Sequence, residues 1–204
     1  MSKPYLRFAL LAAIAVLAGL AAGSLWLHPG PVRLASGELL DTPRPIADFT
    51  LTGGDGQPFT RSDLLGHWSL IYVGYTYCPD VCPTTLMLLK NVERDLGRDA
   101  GRLRVVFISV DPARDTPQRL ADYVHYFSPD FSAATGPDAV LEALGKNLGF
   151  AYNKVPGKTP DSYLMDHSAA LMLIDPQARL AGYLLPPFKV QALTEDLRRI
   201  IERG

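Results

Sequence analysis

The order of apolar and polar positions divides this chain into one long uncharged run and then short segments whose periodicity switches between strand and helix. Residues 8–27 carry no charge and follow Lys3 and Arg7. About 20 helical residues at ~1.5 Å each cross a ~30 Å hydrocarbon core, so the run predicts a transmembrane helix. The basic residues precede it, which sets the N-terminus in the cytoplasm and the remainder outside, with Trp26 at the far interface. A cleaved signal peptide competes, with the small residues Ala21, Ala22 and Gly23 near its cut. The length of the run favours an uncleaved anchor, and the following domain is exported on either reading. Residues 28–45 hold Pro29, Pro31, Pro43 and Pro45 with Gly30 and Gly37. That content predicts a semi-extended tether, with the folded domain occupying residues 46–204.

Within that domain the two periods alternate. Phe49, Thr50, Leu51 and Pro58, Phe59, Thr60 flank the turn cluster Gly53, Gly54, Asp55, Gly56, which predicts an opening hairpin. Residues 68–75 and 104–110 are apolar and rich in β-branched or aromatic types, as buried strands are. After Pro83, the apolar positions Leu86, Leu89, Val92 and Leu96 make one helical face. Asp115 or Thr116 caps a second helix opening at Pro117, with Leu120, Val124 and Phe127 inward. A third helix covers about residues 138–148, and strands follow near 169–174 and 181–185. Val190, Leu193, Leu197 and Ile201 line a closing helix. Alternating strands and helices predict an α/β domain with a central mixed sheet flanked by helices. A strand leading to a cysteine pair at a helix start, with a late hairpin and a closing helix, suggests the thioredoxin-like plan. The strand order does not follow from the pattern.

Composition narrows the functional classes. Lys plus Arg number 20 and Asp plus Glu 21, so the chain has no electrostatic footprint for nucleic acid and no polybasic lipid-binding run. Two cysteines in 204 residues are too few for a disulfide framework, which makes the pair a chemical feature in the first instance.

That pair is Cys78 and Cys82, within Tyr75-Thr76-Tyr77-Cys78-Pro79-Asp80-Val81-Cys82-Pro83. Cysteines four apart at the mouth of a helix bring both sulfurs to one point, and the helix N-terminus is expected to favour the Cys82 thiolate. Dithiol–disulfide exchange, metal binding and an exported structural disulfide all remain open on spacing alone. Exchange is weakened because it most often uses two intervening residues. His167, between Asp166 and Ser168, is placed on a loop that returns to the cysteine end of the sheet. His28, His67 and His125 fall in the tether, a turn and a helix. Two thiolates and an imidazole make a three-coordinate soft site. Structural zinc is normally closed by four ligands, and no third cysteine exists. Soft thiolates select Cu(I) and a histidine lets the site hold Cu(II), so copper is the best physical guess. An incomplete shell also suits transfer.

These residues resemble the SCO/SenC family, copper-binding proteins that help assemble respiratory cytochrome c oxidase. The resemblance rests on three motifs: Tyr77 to Pro83 as quoted, Ser109-Val110-Asp111-Pro112-Ala113-Arg114-Asp115-Thr116-Pro117, and Asp166-His167-Ser168. It implies a thioredoxin-like fold binding Cu(I) or Cu(II) through Cys78, Cys82 and His167. It further implies a metallochaperone more than an enzyme, serving the binuclear copper centre of oxidase subunit II, with an upstream copper donor protein as a further partner. Reduction of the cysteines of subunit II, with Cys78 and Cys82 as the redox pair, is the alternative, and a copper-dependent redox sensor a third. The targeting region, without an Arg/Ser-rich presequence, points to a single-pass protein of the bacterial inner membrane with its domain in the periplasm. Asp80 either tunes or recruits the metal from behind the ligands or simply faces solvent between the cysteines. Asp166 either orients the His167 ring or forms a turn. The segment from Asp111 to Pro117 is expected to serve as strand exit, Arg114 ion pair and helix cap, with a docking role as the alternative.

Overall fold

The computed structural model describes residues 12–13, 34–157 and 162–203. The expected membrane helix and the start of the tether lie outside the described residues. Among the described residues no helix is long and apolar enough to cross a membrane. In chain order the elements are β1 (Gly37–Pro45), β2 (Thr50–Gly53), β3 (Pro58–Thr60), β4 (Trp68–Gly74), α1 (Val81–Leu96), β5 (Leu103–Ser109) and α2 (Pro117–His125). There follow β6 (Ser132–Thr135), α3 (Asp138–Leu148), β7 (Tyr152–Pro156), β8 (Tyr163–His167), β9 (Leu171–Ile174), β10 (Arg179–Leu184) and α4 (Val190–Arg203).

Eight strands form one mixed sheet in the order β1-β10-β9-β4-β5-β6-β2-β3, while β7 and β8 pair only with each other. β4 and β5 are parallel, and so are β5 and β6, whereas β9 runs antiparallel to β4. The continuous apolar runs of β4 and β5 follow from this placement. From Ser69 to Gly74 and from Val105 to Ser109 every residue is buried, as in a central strand covered on both faces. The helical faces meet expectation: Leu86, Leu89, Val92 and Leu96 of α1 are buried, and α1 packs against α4 with its buried Leu193, Leu197 and Ile201. Thr116 caps α2 by accepting a hydrogen bond from the Arg119 N–H at 3.3 Å, with Pro117 in the first turn.

The structure departs from the sequence reading at two places. Residues 37–45, assigned to the tether, form β1, paired with β10 at the sheet edge. Proline is tolerated on an edge strand because its missing N–H faces solvent, and the pairing is broken by a register shift between Leu39 and Arg44. The domain therefore begins before Ile46. Secondly, His167 is not on a loop: it ends β8, half of a hairpin that the sequence reading did not contain. α1 opens at Val81 with Cys82 and Pro83 in its first turn, as a cysteine pair at the mouth of a helix predicts.

β1 and β10 approach closely because glycine leaves room. A Cβ on Gly182 would stand 2.4 Å from the Glu38 carbonyl oxygen and 3.0 Å from Leu39 Cα, main-chain atoms that cannot step aside. Gly182→Ala is therefore expected to lower stability by ~1–3 kcal/mol. Amide hydrogen exchange should rise across residues 37–45 and stay unchanged in β4 and β5.

Candidate metal centre

Strand directions bring the three chemical residues together. Parallel pairing sets the carboxyl ends of β4 and β5 side by side, with Gly74 opposite Ser109 and the Val110 N–H donating to the Gly74 carbonyl at 3.0 Å. The loop carrying Cys78 leaves β4 at this edge, where open α/β sheets place their sites. On the other side of β4, Ile71 pairs with Met172 and Leu70 with Leu173. Because β9 is antiparallel, the residues just before it arrive at the end β4 is leaving. His167 is thereby delivered to the cysteines.

A buried carboxylate fixes the approach to Cys78. Asp115, 1% exposed, accepts hydrogen bonds from the Thr76 N–H at 2.9 Å, the Thr76 hydroxyl at 2.6 Å and the Ser109 hydroxyl. Three donors offset much of the cost of burying this group and tie the cysteine loop to the exit of β5. Past the loop, the Cys82 N–H donates to Cys78 Sγ at 3.3 Å. The helix N-terminus thus serves the sulfur of Cys78, where the sequence reading had assigned its field to Cys82. Gly74 lets the Cys82 side chain lie against β4: a Cβ there would be 2.8 Å from Cys82 Sγ and 2.7 Å from Phe107.

Both cysteines are free thiols and buried, Cys82 completely. Burial is the main cause that pushes the Cys82 thiol up to about 12, with neighbouring Cys78 adding to it. The expected lowering of Cys82 by the helix end is overruled, because at the second helical position its sulfur points into the core and loses water. His167 is lowered from its usual value, chiefly by burial, against smaller raising effects of the Ser168 carbonyl and Asp166. A neutral ring has one donor and one acceptor nitrogen. Nδ1 lies 3.1 Å from the Ser168 carbonyl and Nε2 lies 3.4 Å from Cys82 Sγ. The carbonyl can only accept, so Nδ1 carries the proton and the Nε2 lone pair faces the sulfur. That is the tautomer a metal requires. Tyr72 and Tyr75 hold the ring edge-on, each with its centroid 6.2 Å away.

The ligand atoms of Cys78, Cys82 and His167 lie within 4.8 Å of one another, and among the described residues no fourth His, Cys, Asp or Glu joins them. Around one ion with bonds of ~2.0–2.3 Å, donor atoms stand roughly 3.5–4 Å apart, so the cluster closes on a metal with small adjustments. The donor set is soft and three-membered, with Cys82 shielded from water and His167 partly exposed. The other expected residues stand back. Asp80 is exposed at the N-cap of α1 and accepts from the Thr84 hydroxyl at 3.4 Å. Asp166 is exposed because alternate β8 residues face opposite ways; the ring partner of His167 is the Ser168 carbonyl instead. Ser168 lies in the motif already singled out, but a main-chain acceptor leaves no mark in side-chain chemistry. Tyr72 and Tyr75 were legible only as strand residues.

The SCO1/SenC family model matches residues 38–202, beginning within β1. An SCO2-like protein of Rickettsia typhi is 34% identical over 151 residues, 74% of each chain. Arabidopsis thaliana ScoI, solved with copper bound, is similar with a TM-score of 0.72 and 31% identity, covering 78% of this chain and 98% of that one. Bradyrhizobium japonicum ScoI, also with copper bound, gives a TM-score of 0.66 and 36% identity over 78% and 98% of the two chains.

The Cys82 shift sets a pH dependence for the metal-free protein. An unfolded cysteine ionises near ~8.5 whereas folded Cys82 holds its proton to about 12. Its contribution to stability is present below the unfolded value and is lost as pH rises toward the folded one. Urea unfolding at pH 8 and pH 10 is expected to show a steeper loss in the wild type than in Cys82→Ser.

Proposed function

The chain belongs to the SCO1/SenC family, and on that premise we propose that it binds copper through Cys78, Cys82 and His167 and delivers it as cargo to the binuclear copper centre of cytochrome c oxidase subunit II. The observation that carries this reading is the Nε2 lone pair of His167 facing a buried pair of sulfurs. Two thiolates favour Cu(I), and the imidazole supports Cu(II) as well. Zinc would need a fourth protein ligand or water to complete a tetrahedron. The pocket opposes a bare Cys82 thiolate, so the bound cation offsets the charge that the thiol acquires on losing its proton.

Three ligands also make release practicable. Cys78 is 8% exposed and His167 is partly exposed, whereas Cys82 is fully buried. An acceptor thiolate or imidazole approaches from the side of Cys78 and His167, enters as a fourth ligand, and displaces the neutral imidazole before either thiolate. A thiol-exchange enzyme places different demands on the pair: an accessible sulfur of lowered pKa attacks and its partner resolves. Cys82 has neither property, which excludes it as the attacking sulfur and leaves it only the resolving role. The reading includes an uncleaved anchor at residues 8–27 in the bacterial inner membrane, the domain in the periplasm, and an upstream copper donor.

Cu(I) titration of the full-length chain against a competing chelator tests the site. Loss of a metal ligand should exceed the ~10–100-fold effect of losing a group that merely orients one, so Cys78→Ser and Cys82→Ser are expected to fall by more than about 100-fold. His167→Ala should bind more weakly while keeping dithiol–disulfide cycling. Equal copper affinity in all four proteins would contradict the reading. Metal appearing in a purified subunit II domain supports delivery; transfer of electrons alone would point to a reductase.

A further inference from the structure

The β7–β8 hairpin shares no ladder with the eight-stranded sheet, so main-chain pairing to the domain does not fix its orientation. At the His167 end β8 is held by its short connection to β9. At the other end, Arg114 and the Tyr163 hydroxyl together provide the attachment, both through Asp111. The Arg114 Nε donates to Asp111 Oδ2, and its Nη1 donates to the Tyr163 carbonyl at 3.2 Å. The Tyr163 hydroxyl donates in turn to Asp111 Oδ1 at 2.6 Å. The guanidinium carbon lies 3.5 Å from the Tyr163 ring centroid and 4.7 Å from that of Tyr77. One cation therefore contacts both the tyrosine beside Cys78 and the tyrosine that opens the strand ending at His167.

We propose that Arg114 is a positioning residue for His167, holding the hairpin so that the imidazole stays over the thiols. The inference rests on the copper reading for its consequence but on the clasp itself for its geometry. Asp111 is 3% exposed and needs a cation, and a planar guanidinium meets it edge-on while presenting its face to aromatic rings. Lysine would keep the charge but lose the stacking and the fork that reaches both Asp111 and the Tyr163 carbonyl. Within β8, Tyr163, Met165 and His167 point inward, so a hairpin that lifts at Tyr163 tilts the face bearing the imidazole.

The test combines Arg114→Gln and the milder Arg114→Lys with His167→Ala in the full-length chain. With His167 present, Arg114→Gln is expected to weaken Cu(I) binding about tenfold, within the range for groups that orient a ligand, and Arg114→Lys to fall between it and wild type. In the His167→Ala background neither should change affinity by more than about twofold, because no ligand remains to be positioned. A general structural defect would weaken both backgrounds alike. Amide hydrogen exchange of the metal-free proteins should rise across residues 163–167 in Arg114→Gln and remain at the wild-type level in β4 and β5. Equal losses of affinity in the two backgrounds, or unchanged exchange in β8, would overturn the proposal. A wild type that binds no Cu(I) would refute the function while leaving the exchange measurement to decide the clasp.

Discussion

β4 has a parallel neighbour on one side and an antiparallel neighbour on the other, and this asymmetry determines which loops can meet. Its parallel pairing with β5 sends the Cys78 loop and the Asp111–Asp115 turn out of the same edge. Its antiparallel pairing with β9 requires the chain to enter that strand from the same edge, directly after His167. Two chain segments separated by 85 residues are thus brought to a sulfur–nitrogen distance of 3.4 Å. Asp115 and the Ser168 carbonyl then refine an arrangement that the sheet has already imposed.

The site sets two physical requirements against each other. Excluding water strengthens the bonds between a soft cation and its thiolates, but it also raises the free energy of the thiolates without the cation. The rise of Cys82 to about 12 expresses that conflict, and it makes metal binding a proton-releasing event. The imidazole avoids the conflict, since burial favours its neutral form and the Ser168 carbonyl selects the useful tautomer. A charged donor pair with a neutral third donor would hold a metal more firmly at two positions than at the third.

Much of this was legible in the chain because buried strands and amphipathic helices advertise themselves by composition and period. Residues 68–75, 104–110 and 138–148 each correspond to an element within a residue or two. The cysteines and His167 were recognisable from their chemistry and flanking motifs. β1 was hidden because edge strands admit Pro43 and Pro45 and alternate weakly between exposure classes. The β7–β8 hairpin was hidden because only half of each strand faces the core. Its signal was nevertheless present in the inward alternation of Tyr163, Met165 and His167 after Pro156 and Gly157. Cys82 misled for a different reason: a helix-end argument considers the field of the backbone, whereas full burial of the sulfur depends on packing that spacing does not encode.

The central claim is that Cys78, Cys82 and His167 act as one three-donor copper site. X-ray absorption at the copper edge of the Cu(I)-loaded full-length chain tests it most directly. The account predicts two sulfur neighbours and one nitrogen neighbour, with the nitrogen lost in His167→Ala and the sulfurs retained. A wild-type spectrum with sulfur neighbours alone, or one unchanged by His167→Ala, would contradict it.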